Sequence, residues 1–161
     1  MLIALMSDTH DHVANTQAAL DLLAPHKPAA YLHAGDLVSP QMLDLFKGLP
    51  FHFVFGNNEY DHAGLRTRAH ALGLTCHGEF ADLTLGGRRI AVTHGHTPRL
   101  ARAVLGGQYQ YVICGHTHVR SDKREAGTRV INPGAVQRTQ TKSVALLDLA
   151  SDDLRFLPLA P

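Results

Sequence analysis

Apolar runs alternate with polar loops along the first third of the chain, and residues at helical spacing follow each loop. Leu2 to Met6 is the first run. Val13, Leu20 and Leu23, with alanines between them, then mark a helix over 13–23 that Pro25 and Pro28 end. Ala29 to Ala34 is the second run, and Ser39-Pro40 predicts a helix start with Ser39 as N-cap and Met42, Leu43, Leu45 and Phe46 on its apolar face. Phe51 to Phe55 is the third run, followed by a helix over about 61–72. Strand–helix–strand alternation of this kind argues a parallel sheet with right-handed crossovers, whose sites form in loops at the carboxyl ends of the strands. Asp8, Asp36 and Asn57 each fall just after a run, so all three should open onto one edge.

The second half is richer in strands. Phe80 to Leu85 alternates, Gly86-Gly87 reads as a hairpin turn, and Arg89 to Thr93 is its partner. A helix follows over 98–105, ending at Gly106-Gly107, and Tyr109 to Cys114 is a strand leading into Gly115. Further strands are predicted over 121–125, 129–131, 143–149 and 154–159. The pattern predicts one α/β domain over 1–161, with two sheets face to face and helices outside.

Composition narrows the class. The chain has 161 residues, 45% hydrophobic and 18% charged, which suits a globular domain with a buried core. A formal charge of +1 supplies no global basic field, so stable nucleic-acid binding is not expected. Arg66, Arg68, Arg88, Arg89, Arg120, Lys123 and Arg124 read as solvated faces rather than a basic surface. Cys76 and Cys114 are too few for a disulfide scaffold. The apolar start reaches Asp8 without a basic flank and is too short for a signal peptide or a membrane span, so a cytoplasmic protein without a membrane partner is expected.

The chemistry lies in polar motifs, each placed after an apolar run: Asp8-Thr9-His10, Gly35-Asp36, Gly56-Asn57-Asn58-Glu59, His94-Gly95-His96 and Gly115-His116-Thr117-His118. Asp8 with His10, and His116 with His118, are two residues apart, and in an extended segment such pairs point to one side. Gly35 lets the backbone turn and present Asp36, whose carboxylate can bridge two cations. Asn57 adds an amide oxygen and His94 an imidazole. Carboxylate, imidazole and amide together suit Mn²⁺, Fe, Zn²⁺, Ni²⁺ or Co²⁺ better than Ca²⁺, and a donor set this large without cysteine suits a dinuclear centre better than a structural zinc. Singly the motifs are weak. Gly-Asp is common, Gly-Asn-Asn-Glu reads as a turn, and only Gly-His-Thr-His after a buried strand is specific.

In that order the motifs resemble the calcineurin-like metallophosphoesterase superfamily, and within it the small single-domain phosphodiesterases of bacteria and archaea. The resemblance runs from Met1 to about Ala135 and includes Asn132-Pro133-Gly134-Ala135, similar to the Asn-Pro-Gly-Ser segment of the small members. It implies a four-layer α/β/β/α sandwich of two mixed sheets flanked by helices. It implies one metal on Asp8, His10, Asp36 and His118, and a second on Asp36, Asn57, His94 and His116, with Mn²⁺ the first expectation. It also implies hydrolysis by a bridging hydroxide, between metals roughly 3.5–4 Å apart, attacking phosphorus in line. Many members carry a His after the metal-binding Asn that helps protonate the leaving group. Here that position is Asn58, which is no general acid at neutral pH. This departure favours esters with good leaving groups and the small phosphodiesterase branch.

Among the remaining histidines, His96 is a candidate for substrate phosphate or ligand orientation, and His12 a candidate stand-in acid. His33 reads as a buried strand residue. His26, His52, His62, His70 and His77 read as surface or loop positions, His62 nearest the pocket rim. Glu59 reads as a hydrogen-bond acceptor behind the ligands. The expected activity is hydrolysis of a small phosphodiester or nucleotide-type substrate. The alternatives are a phosphomonoesterase or nucleotide pyrophosphatase with the same centre, an exonuclease, or a non-catalytic scaffold such as the retromer subunit that resembles this family. Small relatives are often dimers or tetramers, so a homodimer or homotetramer is a further expectation.

Overall fold

The computed structural model describes residues 1–160. One sheet is built on β1 (Leu2–Met6), β2 (Ala30–His33), β3 (Phe51–Phe53) and β4 (Thr75–Cys76), paired in parallel. Its other edge is antiparallel, with β10 (Ser143–Asp148) against β1 and β11 (Asp153–Pro158) against β10, giving the order β11-β10-β1-β2-β3-β4. The second sheet has the order β5-β6-β7-β9-β8, from β5 (Phe80–Leu85), β6 (Arg88–Thr93), β7 (Tyr111–Ile113), β8 (Ser121–Glu125) and β9 (Thr128–Asn132). Within it β6, β7 and β9 are parallel and the two hairpin edges are antiparallel.

The side-chain period of two explains the layers. On β1, Ile3 and Leu5 face the second sheet and meet Val92, Ile113 and Ile131 in one core cluster. Ala4 and Met6 face the other way, into a cluster with Leu20 and Leu23 of α1 (Val13–Leu23) and Leu65 of α2 (His62–Leu72). On the far side, Ala91 and Val112 are covered by Ala103 and Val104 of α3 (Arg99–Leu105). Strands covered on both faces read as unbroken apolar runs, which is why β1 and β2 show no alternation in the sequence. The result is the expected α/β/β/α sandwich of two mixed sheets.

Several local expectations change. Pro40–Phe46 is a 3₁₀ turn, and the Ser39 hydroxyl donates to Asp11 Oδ1 at 2.8 Å in place of capping it. The α1 helix begins where expected, but Val13 is 56% exposed and the helix buries Thr16, Ala19, Leu20 and Leu23 instead. Pro25 lies inside a 3₁₀ turn, Ala24–His26, that directly follows the helix. The β4 strand has two residues, too few for any periodicity to reveal. No helix among the described residues is long and apolar enough to cross a membrane.

Candidate metal centre

The parallel strands of both sheets end at the same place. Beyond β1 and β2 the backbone keeps pairing, with the Asp8 amide donating to the Gly35 carbonyl and the His10 amide to that of Asp36, both at 3.0 Å. The loops of the second sheet join them: the Gly115 amide donates to the His94 carbonyl at 3.0 Å, and the His94 ring reaches the Ala34 carbonyl at 2.8 Å. Close approach demands glycine at Gly35, Gly56 and Gly115. A Cβ on Gly35 (φ +96°) would lie 2.9 Å from His94 Nδ1, and one on Gly115 would collide with Ser7 Oγ.

The loop conformations differ from the extended segments expected. Asp8, His10, Asp36, His116 and His118 have φ of 56°, 44°, 59°, 68° and 59°, the left-handed region that non-glycine residues rarely enter. Such conformations cost about 1–3 kcal/mol each and persist only where surrounding structure imposes them. Asp8 and His10 converge all the same, with His10 Nε2 3.8 Å from Asp8 Oδ1. His116 and His118 part company, because the left-handed turns redirect them. His118 Nε2 lies 3.2 Å from Asp8 Oδ1, whereas the His116 ring packs 5.1 Å from that of His94.

Two groups of donors result. Asp8, His10 and His118 offer ligand atoms that lie within 4.8 Å of one another, and so do Asp8, Asp36 and His94. Asn57 Oδ1 stands 3.1 Å from His94 Nε2, on the second group. Hydrogen bonds set the tautomers. His94 gives Nδ1–H to Ala34, and His118 gives Nδ1–H to the Arg138 carbonyl at 3.1 Å. Both Nε2 atoms are thereby aimed at the carboxylates, the arrangement by which backbone carbonyls orient metal-binding imidazoles. Asp8 is fully buried, and its Oδ1 has no hydrogen-bond donor within the protein although it faces the centre. A buried carboxylate oxygen without a donor, ringed by imidazole nitrogens, is the environment a divalent cation satisfies. The residues therefore fit the metals the motifs implied.

A second set of residues holds this one in place. Burial alone would raise the Asp36 carboxyl, but His94, when its Nε2 is protonated as well, and two Asn58 donors hold it well below the usual carboxylate range. Those donors are the Asn58 backbone amide on Oδ1 at 3.0 Å and its side-chain amide on Oδ2 at 2.6 Å. The structure thus uses Asn58 to fix Asp36. Glu59, 5% exposed, accepts from the amides of Leu37, Val38 (3.1 Å) and Gly56 (2.6 Å), and so ties the Asp36 loop to the Asn57 loop. Burial raises its carboxyl above the usual value despite those bonds. His33 is fully buried, and burial, with His94 nearby, lowers it to about 3. Its Nδ1 accepts the Gly35 amide at 3.2 Å, so the Nε2–H donates to Thr9 Oγ1 at 3.2 Å, linking the first two ligand loops.

Sequence reasoning missed three supports. Ser7 Oγ donates to Asp8 Oδ2 at 2.6 Å. Asn132 donates to the Gly115 carbonyl at 2.8 Å and to Thr117 Oγ1 at 3.0 Å, which is what the Asn-Pro-Gly segment does for the His116–His118 loop. The Arg138 carbonyl orients His118. Only the Asn-Pro-Gly turn left a signal in the sequence. His12 caps α1, its Nδ1 accepting the Asn15 amide at 3.1 Å. His96 is exposed at the rim, 5.3 Å from the His94 ring and 6.1 Å from that of His116, with burial chief among the causes that lower its pKa. His52 and His77, expected at unremarkable surface positions, bond to each other at 3.1 Å and stack.

Comparison with known proteins agrees with this geometry. The model of the calcineurin-like phosphoesterase superfamily domain matches residues 1–152. A phosphodiesterase of Methanocaldococcus jannaschii is 29% identical over 99% of both chains. A solved archaeal phosphodiesterase superposes with a TM-score of 0.92 at 28% identity, covering 99% of this chain and 100% of its own. Vps29 of Entamoeba histolytica, crystallised with zinc, has the same fold with a TM-score of 0.71 at 21% identity, over 99% of this chain and 100% of its own. With the family model spanning nearly the whole chain and a phosphodiesterase similar to it over its full length, the protein belongs to the calcineurin-like phosphoesterase superfamily and is a metal-dependent phosphoesterase.

Proposed function

We propose that the enzyme hydrolyses small phosphodiesters with two divalent cations held side by side, Mn²⁺ first among Mn²⁺, Ni²⁺, Co²⁺, Zn²⁺ and Fe. Asp8, His10, Asp36 and His118 would hold one, and Asp36, Asn57, His94 and His116 the other. The observation that carries this reading is the place of Asp36, whose Oδ2 lies 3.7 Å from His10 Nε2 and 3.3 Å from His94 Nε2. One carboxylate oxygen between two imidazoles, one from each donor group, is what a bridging ligand requires, and Asp8 is shared by the two groups as well. Bound there, the cations supply Lewis acidity toward the phosphoryl oxygens and acidify the water that attacks phosphorus.

The chain's own residues supply the rest. Ala34 and Arg138 keep the His94 and His118 rings in the tautomer that presents Nε2. Asn58, which donates to both Asp36 oxygens, would hold that carboxylate as the bridging ligand, and its amide is no general acid for a leaving group. His96, exposed with its ring 6.1 Å from that of His116, would donate a hydrogen bond to a phosphoryl oxygen. Without an acid beside Asn57, good leaving groups and diesters are favoured. Full-length similarity to a phosphodiesterase supports that preference.

The test is hydrolysis of bis-p-nitrophenyl phosphate and p-nitrophenyl phosphate by metal-stripped protein given one metal at a time. Diester cleavage should require metal, exceed monoester cleavage, and fall by more than about a hundredfold in Asp36→Asn, beyond the usual loss for a residue that only supports a ligand. Full activity in Asp36→Asn would remove the bridging role. Faster monoester cleavage would favour the phosphomonoesterase alternative, and no turnover with any metal would favour a scaffold.

A further inference from the structure

A cleft of about 430 Å³ lies between α2 and the segment running from β4 into β5, lined by Phe55, His62, Arg66, Gly78 and Phe80 among others. Two of its lining residues continue, along the chain or across a strand pair, into the loops of the metal centre. Phe55 is two residues before Asn57, and Phe80 pairs with Thr93, the residue before His94. A substituent on a phosphorus held between Asn57 and His94 therefore has this cleft beside it.

The walls have a particular chemistry. The His62 ring lies flat on the buried Phe55 ring, with centroids 4.1 Å apart and planes 8° from parallel. Phe55 covers one face of His62, and the residue is otherwise exposed. Arg66 follows one turn along α2, its guanidinium 5.1 Å from the Phe55 centroid and packed over Gly78. Arg99, on the other wall, is held by Glu79 at 2.6 Å, whereas Arg66 makes no ion pair among the described residues. A rigid, planar, open ring backed by a second ring is a stacking platform, and sequence-tolerant stacking on such platforms is how proteins hold nucleobases. The unpaired guanidinium beside it adds a donor for carbonyl or anionic oxygens.

We propose that this cleft binds the nucleoside of a nucleotide-type phosphodiester, with the base stacked on His62 and its polar edge or ribose toward Arg66. The inference rests on the phosphodiesterase reading above and adds the substrate class. It makes His62 a specificity residue that acts on the substituent and not on the reacting atoms.

Two p-nitrophenyl esters test it, because they share a leaving group and differ only in the second substituent: thymidine 5′-p-nitrophenyl phosphate and methyl p-nitrophenyl phosphate. The Mn²⁺-loaded enzyme should prefer the thymidine ester by roughly tenfold in kcat/KM, within the range of one stacked base. His62→Ala should bring that ratio close to one, and His62→Phe, which keeps a flat ring, should restore most of it. Calorimetric titration with thymidine 5′-phosphate and methyl phosphate reads the same cleft without turnover, and the nucleotide should bind roughly tenfold tighter, with His62→Ala abolishing the difference. Equal kcat/KM for the two esters, or a preference unchanged in His62→Ala, would overturn the proposal. Equal binding of the two phosphates would also overturn it. Absence of turnover on both esters, with nucleotide binding still dependent on His62, would overturn the hydrolytic reading and leave the subsite standing.

Discussion

His33 shows how a residue outside the donor set supports it. Its buried ring is neutral, accepts one backbone amide and donates to Thr9, and its pKa lies near 3. The unfolded chain has an ordinary histidine near 6.5 and so binds more protons than the folded chain below that pH. The folded pKa being the lower one, its stability contribution is complete above pH 6.5 and is lost as pH falls toward 3. Between pH 7.5 and 5.5 this one group should remove about 1.4 kcal/mol of stability. Urea unfolding at the two pH values should therefore show a drop about 1.4 kcal/mol larger in the wild type than in His33→Gln. Equal drops would mean that His33 is not held neutral. At this scale the sequence was legible for residue identity and illegible for conformation. The motifs contain the residues that the fold gathers, Asp8, His10, Asp36, His94 and His118, but nothing in Asp-Thr-His or His-Thr-His announces the left-handed φ values inside those segments, because these accompany hydrogen bonds between loops far apart in the chain.

At the scale of elements, strands and helices largely followed the apolar pattern because β1, β2, β7 and β10 are runs of buried, mostly apolar residues. The misreadings fall where a local contact outweighs propensity: Ser39 bonding to Asp11 instead of capping, Val13 at a helix start lying outside the core, and the two-residue β4. Between elements the central device is Glu59. Its Oε1 accepts from Leu37 and Val38 and its Oε2 from Gly56. Removing the carboxylate strands buried amides at a cost of about 1–3 kcal/mol each, partly relieved by water. Glu59→Ala should lower stability by about 2–4 kcal/mol in urea unfolding. Glu59→Gln should lie between it and the wild type, because its amide would face the Gly56 donor. A Glu59→Ala protein as stable as the wild type would show that the two loops do not depend on this staple.

At the scale of the molecule, two sheets pack so that the carboxyl ends of their parallel strands meet. Asp8, Asp36 and Asn57 come from the first sheet's loops and His94, His116 and His118 from the second's. Apolar runs foretold the first sheet and an alternating hairpin the second, but the way their ends are joined, through His94 on Ala34, is tertiary and left no periodic trace. The measurement that bears most directly on this account is the metal content of crystals grown with Mn²⁺, located by anomalous diffraction. Two peaks should appear on either side of Asp36, one within reach of His10 and His118 and the other within reach of Asn57 and His94, roughly 3.5–4 Å apart. A single peak, or a pair that Asp36 does not separate, would contradict the dinuclear centre.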